Sequence, residues 1–456
     1  MRNHSLALAN EPIKTLLWRL SLPATAGMFV MSLYNVVDAI FVGRGVGTLG
    51  IAGVSIVFPV QMVITGMGLM VGMGAASLIS RSLGASNTER AERTLGNAIF
   101  LIVLLGGVFT VVGLSRSTFF LRLFGATDTI LPYAKEYMDI ILLGAVFHTS
   151  SMAANAIIRA EGNARVAMIS MFIGALLNIA LDPVFIFALG MGIRGAAIAT
   201  VIAHVATTLY LAHYFLSGKS SLRIRVKNFI LERTVVKEII AIGFASFLRT
   251  AAGSFIAVII NRTLGFYGGD VSIAVFGVVF RVLHFAVMPN IGISQGLQPI
   301  LGFSYGARRY DRGIEVIRRS VIIAAAISVG AVLIILLFAG SIIGIFSTDA
   351  ALISQGTHAI RLVFIAIYLV GFQIVGATIF QAIGKPIQTF ILSTSRQILF
   401  LIPLVFILPH FFGVNGVWLS FPIADTLSFI ITLAMVIPQM REFKRQQILI
   451  EGGEAQ

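Results

Sequence analysis

Residues 20–43 read LSLPATAGMFVMSLYNVVDAIFVG. A single charge, Asp38, interrupts an otherwise uncharged run. As a helix this stretch rises about 1.5 Å per residue, ~36 Å in all. The hydrocarbon core of a bilayer is only about 30 Å thick. The run therefore predicts a membrane-spanning helix with a carboxylate inside the apolar layer. Apolar runs without strict alternation recur along the chain, so helices are expected rather than the strands of a membrane barrel.

The composition agrees. Of 456 residues, 57% are hydrophobic and 11% charged, and the mean hydropathy is +0.96. Soluble domains average about 25% charged. An ordinary soluble enzyme is excluded. With no cysteine, disulfides, zinc–thiolate centres and thiol catalysis are excluded too. No Walker A pattern is present, so ATP is not expected to act on this chain directly. No nucleophile–base pair, HExxH or Cys/His metal motif stands out, so no enzyme activity and no cofactor are expected.

Twelve spans are predicted, at 13–42, 50–80, 94–115, 130–158, 165–188, 195–216, 236–264, 271–303, 317–345, 355–383, 387–410 and 414–438. The segment NEPIKTLLWRL (10–20) reads as an amphipathic lead-in, and no cleavable signal is expected. The net charge is +14. Of the 33 Lys and Arg, 23 fall in one set of loops and the two tails, 6 in the opposite loops and 4 within spans. The positive-inside rule then places both termini in the cytoplasm of a multi-pass protein of the cell (inner) membrane. This explains the basic charge without nucleic acid. The expected partner surface is the lipid bilayer, with affinity for anionic headgroups.

The halves repeat. IAGVSIVF (51–58) matches IAVFGVVF (273–280), LGA (83–85) matches YGA (305–307), and IRAEG (158–162) matches FQAIG (380–384), all 222 residues apart; GIRGAA (192–197) matches GVNGVW (413–418) at 221. An even number of spans in each half implies parallel repeats about an axis along the membrane normal. The expected organisation is an N-terminal lobe of six helices (1–216), a basic cytoplasmic linker (217–235), a C-terminal lobe of six helices (236–440) and a cytoplasmic tail (441–456). This is a transporter layout. A channel is less favoured, since no loop resembles a selectivity filter.

An intramembrane carboxylate costs at least ~2.5–3.5 kcal/mol to insert, so each is a functional candidate. Asp38 and Asp182 are the best embedded, ~7 Å and ~9 Å below the outer ends of their spans. Tyr137 and Thr200 come to a similar depth, and Asn178 lies one turn from Asp182 on the same face. Two carboxylates close together in a low dielectric resist double ionisation. Such a pair holds a proton, or is neutralised by a monovalent cation. Asn178 and Thr200 then supply the neutral oxygens a hard cation takes. Asp38, Asn178, Asp182 and Thr200 are the candidate ligands of such a cation, with Tyr137 nearby. Pro183 lacks an N–H and frees the Ile179 carbonyl, bending its helix; Pro23 is expected to bend the span that carries Asp38. At the repeat offset, Asp38 maps to Ile260 and Asp182 to Leu404, so the charge is not duplicated.

LSLPATAGMFVMSLYNVVDAIFVGRGVGTLGIAGVSIVFP, NAIIRAEGNAR and NIALDPVFIFALGMGIRGAAIAT resemble the multidrug and toxic compound extrusion (MATE) family, over the whole chain and nearest its DinF-like and MepA-like prokaryotic branches. The resemblance implies an all-α membrane protein of twelve helices in two lobes arranged as a V. It implies alternating-access export of cationic, amphipathic small molecules in exchange for Na⁺ or H⁺. By position, the family's N-lobe cation site falls on Asp38, Asn178, Asp182 and Thr200, beside Tyr137. Tyr34 and Asn155 match cavity-lining positions, and Met31, Gln61, His284, Gln295 and Gln373 are further candidates for the substrate cavity. The NorM branch uses acids on spans seven and ten; here span seven has Arg249 and span ten Gln373. The rival reading is a lipid or lipid-linked precursor flippase, for which Arg249 and Arg281 would meet phosphate headgroups. A monomer is expected.

Overall fold

The computed structural model of the chain describes residues 3–346 and 349–453. The ends of the expected first lobe and tail, 1–2 and 454–456, lie outside them. Among the described residues the protein is helical, without strands. The spans are α1 (Ile13–Val46), α2 (Thr48–Gly84), α3 (Thr88–Ser115), α4 (Leu131–Leu143 with Ala145–Ala160), α5 (Ala164–Ala188), α6 (Gly192–Leu216), α7 (233–268), α8 (270–306), α9 (Tyr310–Leu337), α10 (Ala350–Phe364 with Ile367–Ile383), α11 (Pro386–Phe412) and α12 (Val414–Gly453). Among the described residues, nine helices are long and apolar enough to cross a bilayer as they stand, and the two bent pairs, α4 and α10, add two. One of the nine, Arg233–Gly306, is broken at Gly269 (φ 66°, ψ −167°) into α7 and α8. The count reaches the twelve spans of the sequence.

Local chemistry sets the ends. Asn87 accepts a hydrogen bond from the backbone N–H of Arg90 and starts α3; Asn163 caps α5 through Val166. Both satisfy an amide that the first helical turn leaves free. Two spans expected to be single helices are bent. The arms of α4 meet at 54° and those of α10 at 41°. Gly144 lies at the α4 bend, where an added Cβ would sit 2.6 Å from the Val201 side chain of α6. The α9 segment also ends early, at Leu337, and Ala339–Phe346 forms a separate short helix.

Contacts divide the chain into two compact units. The first holds residues 1–11 and 22–251, the second 12–21 and 252–456. The basic linker 217–235 therefore lies inside the first unit. Asn97 of α3 holds it, donating to the carbonyls of Asn228 and Ile230 (both 3.2 Å) and accepting from Glu232 N–H (2.8 Å). Glu238 of α7 is clamped by Arg81 and Arg90, each at 2.7 Å. The unit's core packs Val57, Val60 and Ile64 of α2 against Ile141 and Leu142 of α4 and Ile193 and Ala196 of α6. α2 and α7 cross at backbone contact: a Cβ on Gly74 would lie 2.0 Å from the Ile239 carbonyl oxygen, and one on Gly243 1.8 Å from that of Met70.

The second unit has its own core, built from Ile256, Ile260, Val275, Phe276, Val279, Phe364, Ile367, Trp418 and Phe421. Both units leave large apolar side chains exposed along their helices, among them Val111, Leu209 and Leu333 at 68%, 62% and 56%. Lipid is the solvent that suits such surfaces.

Candidate cation and proton site

The site is assembled by α1, α4, α5 and α6 of the first unit. α5 brings Asn178 and Asp182, both buried and one turn apart. Pro183 follows at once. With no N–H to continue the ladder, the helix loosens into a π turn over Val184–Ala188, closed by Leu189 N–H to the Val184 carbonyl at 2.9 Å. Such bulges are frequent at functional sites. α6 brings Thr200, buried at 4% exposure, and α1 brings Tyr34 and Asp38. α1 runs through Pro23, which stands two residues past Ser21, where the chain leaves the second unit.

The carboxyl groups of Asp38 and Asp182 lie within hydrogen-bonding reach of each other. Each also has a buried Oδ1 without a donor among the described residues. The other Asp182 oxygen, Oδ2, is served by Asn178. Of the two amide orientations, one satisfies all neighbours: Nδ2 donates to Asp182 Oδ2 at 2.9 Å, and Oδ1 faces Thr200 Oγ1 and N, both at 3.2 Å. The Thr200 hydroxyl also reaches the Ala196 carbonyl (3.0 Å) and the hydroxyl of Tyr34. Tyr137 of α4, 2% exposed, accepts from Gln61 Nε2 of α2 at 3.3 Å.

Two carboxylates facing each other away from water cannot both stay ionised without a positive partner. One proton between them satisfies the pair. A small cation with oxygen ligands also fits the residue types: two carboxylates, the Asn178 amide oxygen and the Thr200 hydroxyl. No group of three or more His, Cys, Asp or Glu that could hold a metal ion occurs among the described residues.

Beside this site is a cavity of about 30 Å³ lined by Met31, Tyr34, Met152, Asn155, Asn178, Thr200 and His204. That is room for a water or two; drug-sized pockets enclose roughly 300–1,000 Å³. Met31, Tyr34 and Asn155 of the expected cavity set lie here. The Asn155 amide is occupied, donating to the Ala167 carbonyl (2.8 Å) and Ser170 Oγ (2.9 Å) and tying α4 to α5. Gln61 sits behind Tyr137. The other three belong to the second unit. His284 is exposed and Gln295 half-buried on α8. Gln373 is buried and donates to the Asp425 carbonyl at 2.6 Å, joining α10 to α12.

Two polar pairings inside the helices do not follow from the sequence. Arg396 of α11 and Asp425 of α12 form an ion pair at 2.5 Å. His148 of α4 and His204 of α6 stack with ring centroids 4.1 Å apart and planes 16° from parallel. The signal for both was present, as ionisable residues in apolar spans, but partners on different helices cannot be matched by spacing.

The MatE family model matches residues 23–184 and 245–407. The two matches begin at the 222-residue offset of the internal repeat. The multidrug export protein MepA of Staphylococcus aureus (strain MRSA252) is 26% identical over 426 residues, 93% of this chain and 94% of that protein. A multidrug resistance MATE family transporter of the MOP superfamily, solved in an outward-facing conformation, superposes with a TM-score of 0.92 at 29% identity, covering 98% of this chain and 99% of that one. A solved chain named protein A is 43% identical, with a TM-score of 0.90 over 96% of this chain and 98% of its own.

Proposed function

The chain belongs to the MatE family of membrane transporters, and we propose that it is a secondary active multidrug exporter. In this reading it moves cationic amphipathic molecules out of the cell by alternating access, in exchange for Na⁺ or H⁺. Both termini face the cytoplasm, and the chain works as a monomer. The observation that carries the reading is the Asp38–Asp182 pair. Two carboxylates meet inside apolar helices, with one donorless oxygen each and a neutral amide and hydroxyl beside them. Retaining that arrangement inside a membrane is costly. Binding and releasing a positive charge is what it can do.

The work follows from the geometry. A proton or cation entering from outside neutralises Asp38 and Asp182 and draws α1 toward α5. Its departure to the cytoplasm restores the uncompensated charge and favours the other state. A cationic substrate competes with the coupling ion because both need the same negative charge. The energy available is the difference in affinity of the two states for the ion.

The test is ethidium efflux from proteoliposomes, with a Na⁺ gradient and a pH gradient imposed separately. Efflux under one gradient, lost in Asp38→Asn, is expected, and names the ion. Absence of efflux under both would overturn the export reading and favour lipid translocation.

A further inference from the structure

The linker that follows α6 is seated on α3. Its short 3₁₀ turn, Val226–Phe229, crosses α3 at Gly96, where an added Cβ would lie 2.3 Å from the Asn228 carbonyl oxygen. Asn97 fixes the crossing through the carbonyls of Asn228 and Ile230 and the amide of Glu232. Here lies a cavity of about 310 Å³, walled by Arg93 and Asn97 of α3 and by Lys227, Ile230, Leu231 and Glu232 of the linker. Its size is at the lower end of the roughly 300–1,000 Å³ that holds a small ligand.

The wall carries uncommitted positive charge. Arg93 is shared between Glu89 (2.8 Å) and Glu232 (3.5 Å), and the neighbouring Arg225 is paired with the buried Glu92 (3.1 Å). Lys227 is exposed and makes no hydrogen bond or ion pair among the described residues. The backbone N–H groups of Ile230 and Leu231 have no acceptor among them either. Residues 217–237 carry six Lys and Arg against Glu232 alone. An anion in the cavity would meet the Lys227 ammonium and the Arg93 guanidinium, with Glu232 as the one carboxylate lining it.

Apolar groups flank these charges. Val226 is 83% and Ile230 77% exposed, which suits a loop dipped into a headgroup layer better than one in water. On α3, Phe100, Leu104 and Val111 follow Arg93 by 7, 11 and 18 residues, within about 20° of it round the helix, and all three are exposed. Arg93 to Leu104 rises about 16 Å, one leaflet of a hydrocarbon core about 30 Å thick. A soluble phosphate would use the cavity and not the stripe; a phospholipid uses both. At the repeat offset Arg93 maps to Glu315 and Gly96 to Arg318, so neither the cation nor the glycine that admits the linker is repeated.

We propose that this cavity is a binding site for an anionic phospholipid, its phosphate against Lys227 and Arg93 and one acyl chain along Phe100, Leu104 and Val111. The bound lipid ties the linker to the membrane plane beside α3. The proposal takes from the orientation given above only the leaflet, the cytoplasmic one, and is independent of the export reading.

Native mass spectrometry of the purified protein, titrated with phosphatidylglycerol or phosphatidylcholine, measures the site. Wild type is expected to bind one phosphatidylglycerol in preference to phosphatidylcholine. Lys227→Gln breaks no contact and should weaken that step about fivefold, the worth of roughly one basic residue beside an anionic headgroup; Arg93→Gln/Lys227→Gln should weaken it further. Lys444→Gln, also exposed, on the tail of α12, makes the same change of charge and should leave binding as it was. Equal binding of the two lipids, or equal affinities of Lys227→Gln and Lys444→Gln, would overturn the site. Hydrogen exchange of wild type in nanodiscs is the second arm. Phosphatidylglycerol should slow exchange over 226–232 relative to phosphatidylcholine, and unchanged exchange there would overturn the placement. Inorganic phosphate added to phosphatidylcholine nanodiscs probes for a soluble anion, and the same protection from phosphate would overturn the lipid as occupant. Neither arm reads transport, so an absence of efflux would count against the export reading and not against this site.

Discussion

Arg396 and Asp425 form a 2.5 Å ion pair inside the second unit, whereas Asp38 and Asp182 in the first face each other with no cationic side chain between them. By the repeat offsets, Asp425 corresponds to His204 and Arg396 to Gly174, both of which line the first unit's cavity. Where the first unit keeps a small cavity at these positions, the second holds a buried ion pair.

The pair's role is structural, and it sets the first prediction. Arg396→Met leaves Asp425 buried and unpaired and should destabilise the protein by about 3–5 kcal/mol. The double variant Arg396→Met/Asp425→Leu should recover most of that loss. Thermal unfolding in detergent measures both. An equal loss in the single and double variants would contradict the assignment.

Asp38→Asn and Asp182→Asn should each abolish ion-driven efflux while leaving thermal stability within about 1 kcal/mol, or raising it, since each removes a costly buried charge. Combining them should cost no more activity than either alone, because the two oxygens act as one binding group. Additive partial losses would mean that the carboxylates work separately.

Asn178 distinguishes the two ions. In the amide orientation that satisfies its neighbours, its nitrogen donates to Asp182 and its oxygen faces Thr200. This arrangement supports a carboxyl that exchanges a proton. A sodium ion beside Asp182 would require the amide to turn and offer its oxygen. Asn178→Leu should therefore eliminate Na⁺-driven efflux and only weaken pH-driven efflux. Comparing the two gradients in the same proteoliposomes decides it, and equal losses would remove the distinction.

At the α2–α7 crossing, Gly74→Ala and Gly243→Ala should each cost more than the about 1–3 kcal/mol typical of overpacking. The obstacle at both is a backbone carbonyl and not a flexible side chain. The expected readout is a fall in the yield of monodisperse protein. Gly107, with nothing within 4 Å of an added Cβ, should accept alanine without loss.

Most of the architecture was legible because the membrane simplifies the problem. A run such as 20–43 must be a helix, since no other element satisfies its backbone in lipid. The same cost made Asp38 and Asp182 conspicuous, and the i, i+4 relation placed Asn178 beside Asp182. The bend of α4 was not legible, because Gly144 marks it only through the approach of Val201 from α6. Nor was the stacking of His148 on His204, 56 residues apart in the chain, or the pairing of Arg396 with Asp425. Arg396 and Asp425 lie 29 residues apart on different helices, and nothing near either in the chain marks the other as its partner. Helical periodicity fixes which residues share a face, but not which faces meet.

The allocation of α1 and α7 between the units has a consequence for how the protein is made. Residues 12–21 belong with the second unit and residues up to 251 with the first. A ribosome that has released the first six spans has delivered an unfinished first unit, which waits for α7 to close over Gly74. The opening turns of α1 wait longer still, for α8, where Gly296 packs against Leu17 and Ser21. Large proteins usually fold domain by domain as they emerge. This chain cannot fully do so, and severing it within residues 217–235 would yield two fragments that each lack a piece carried by the other.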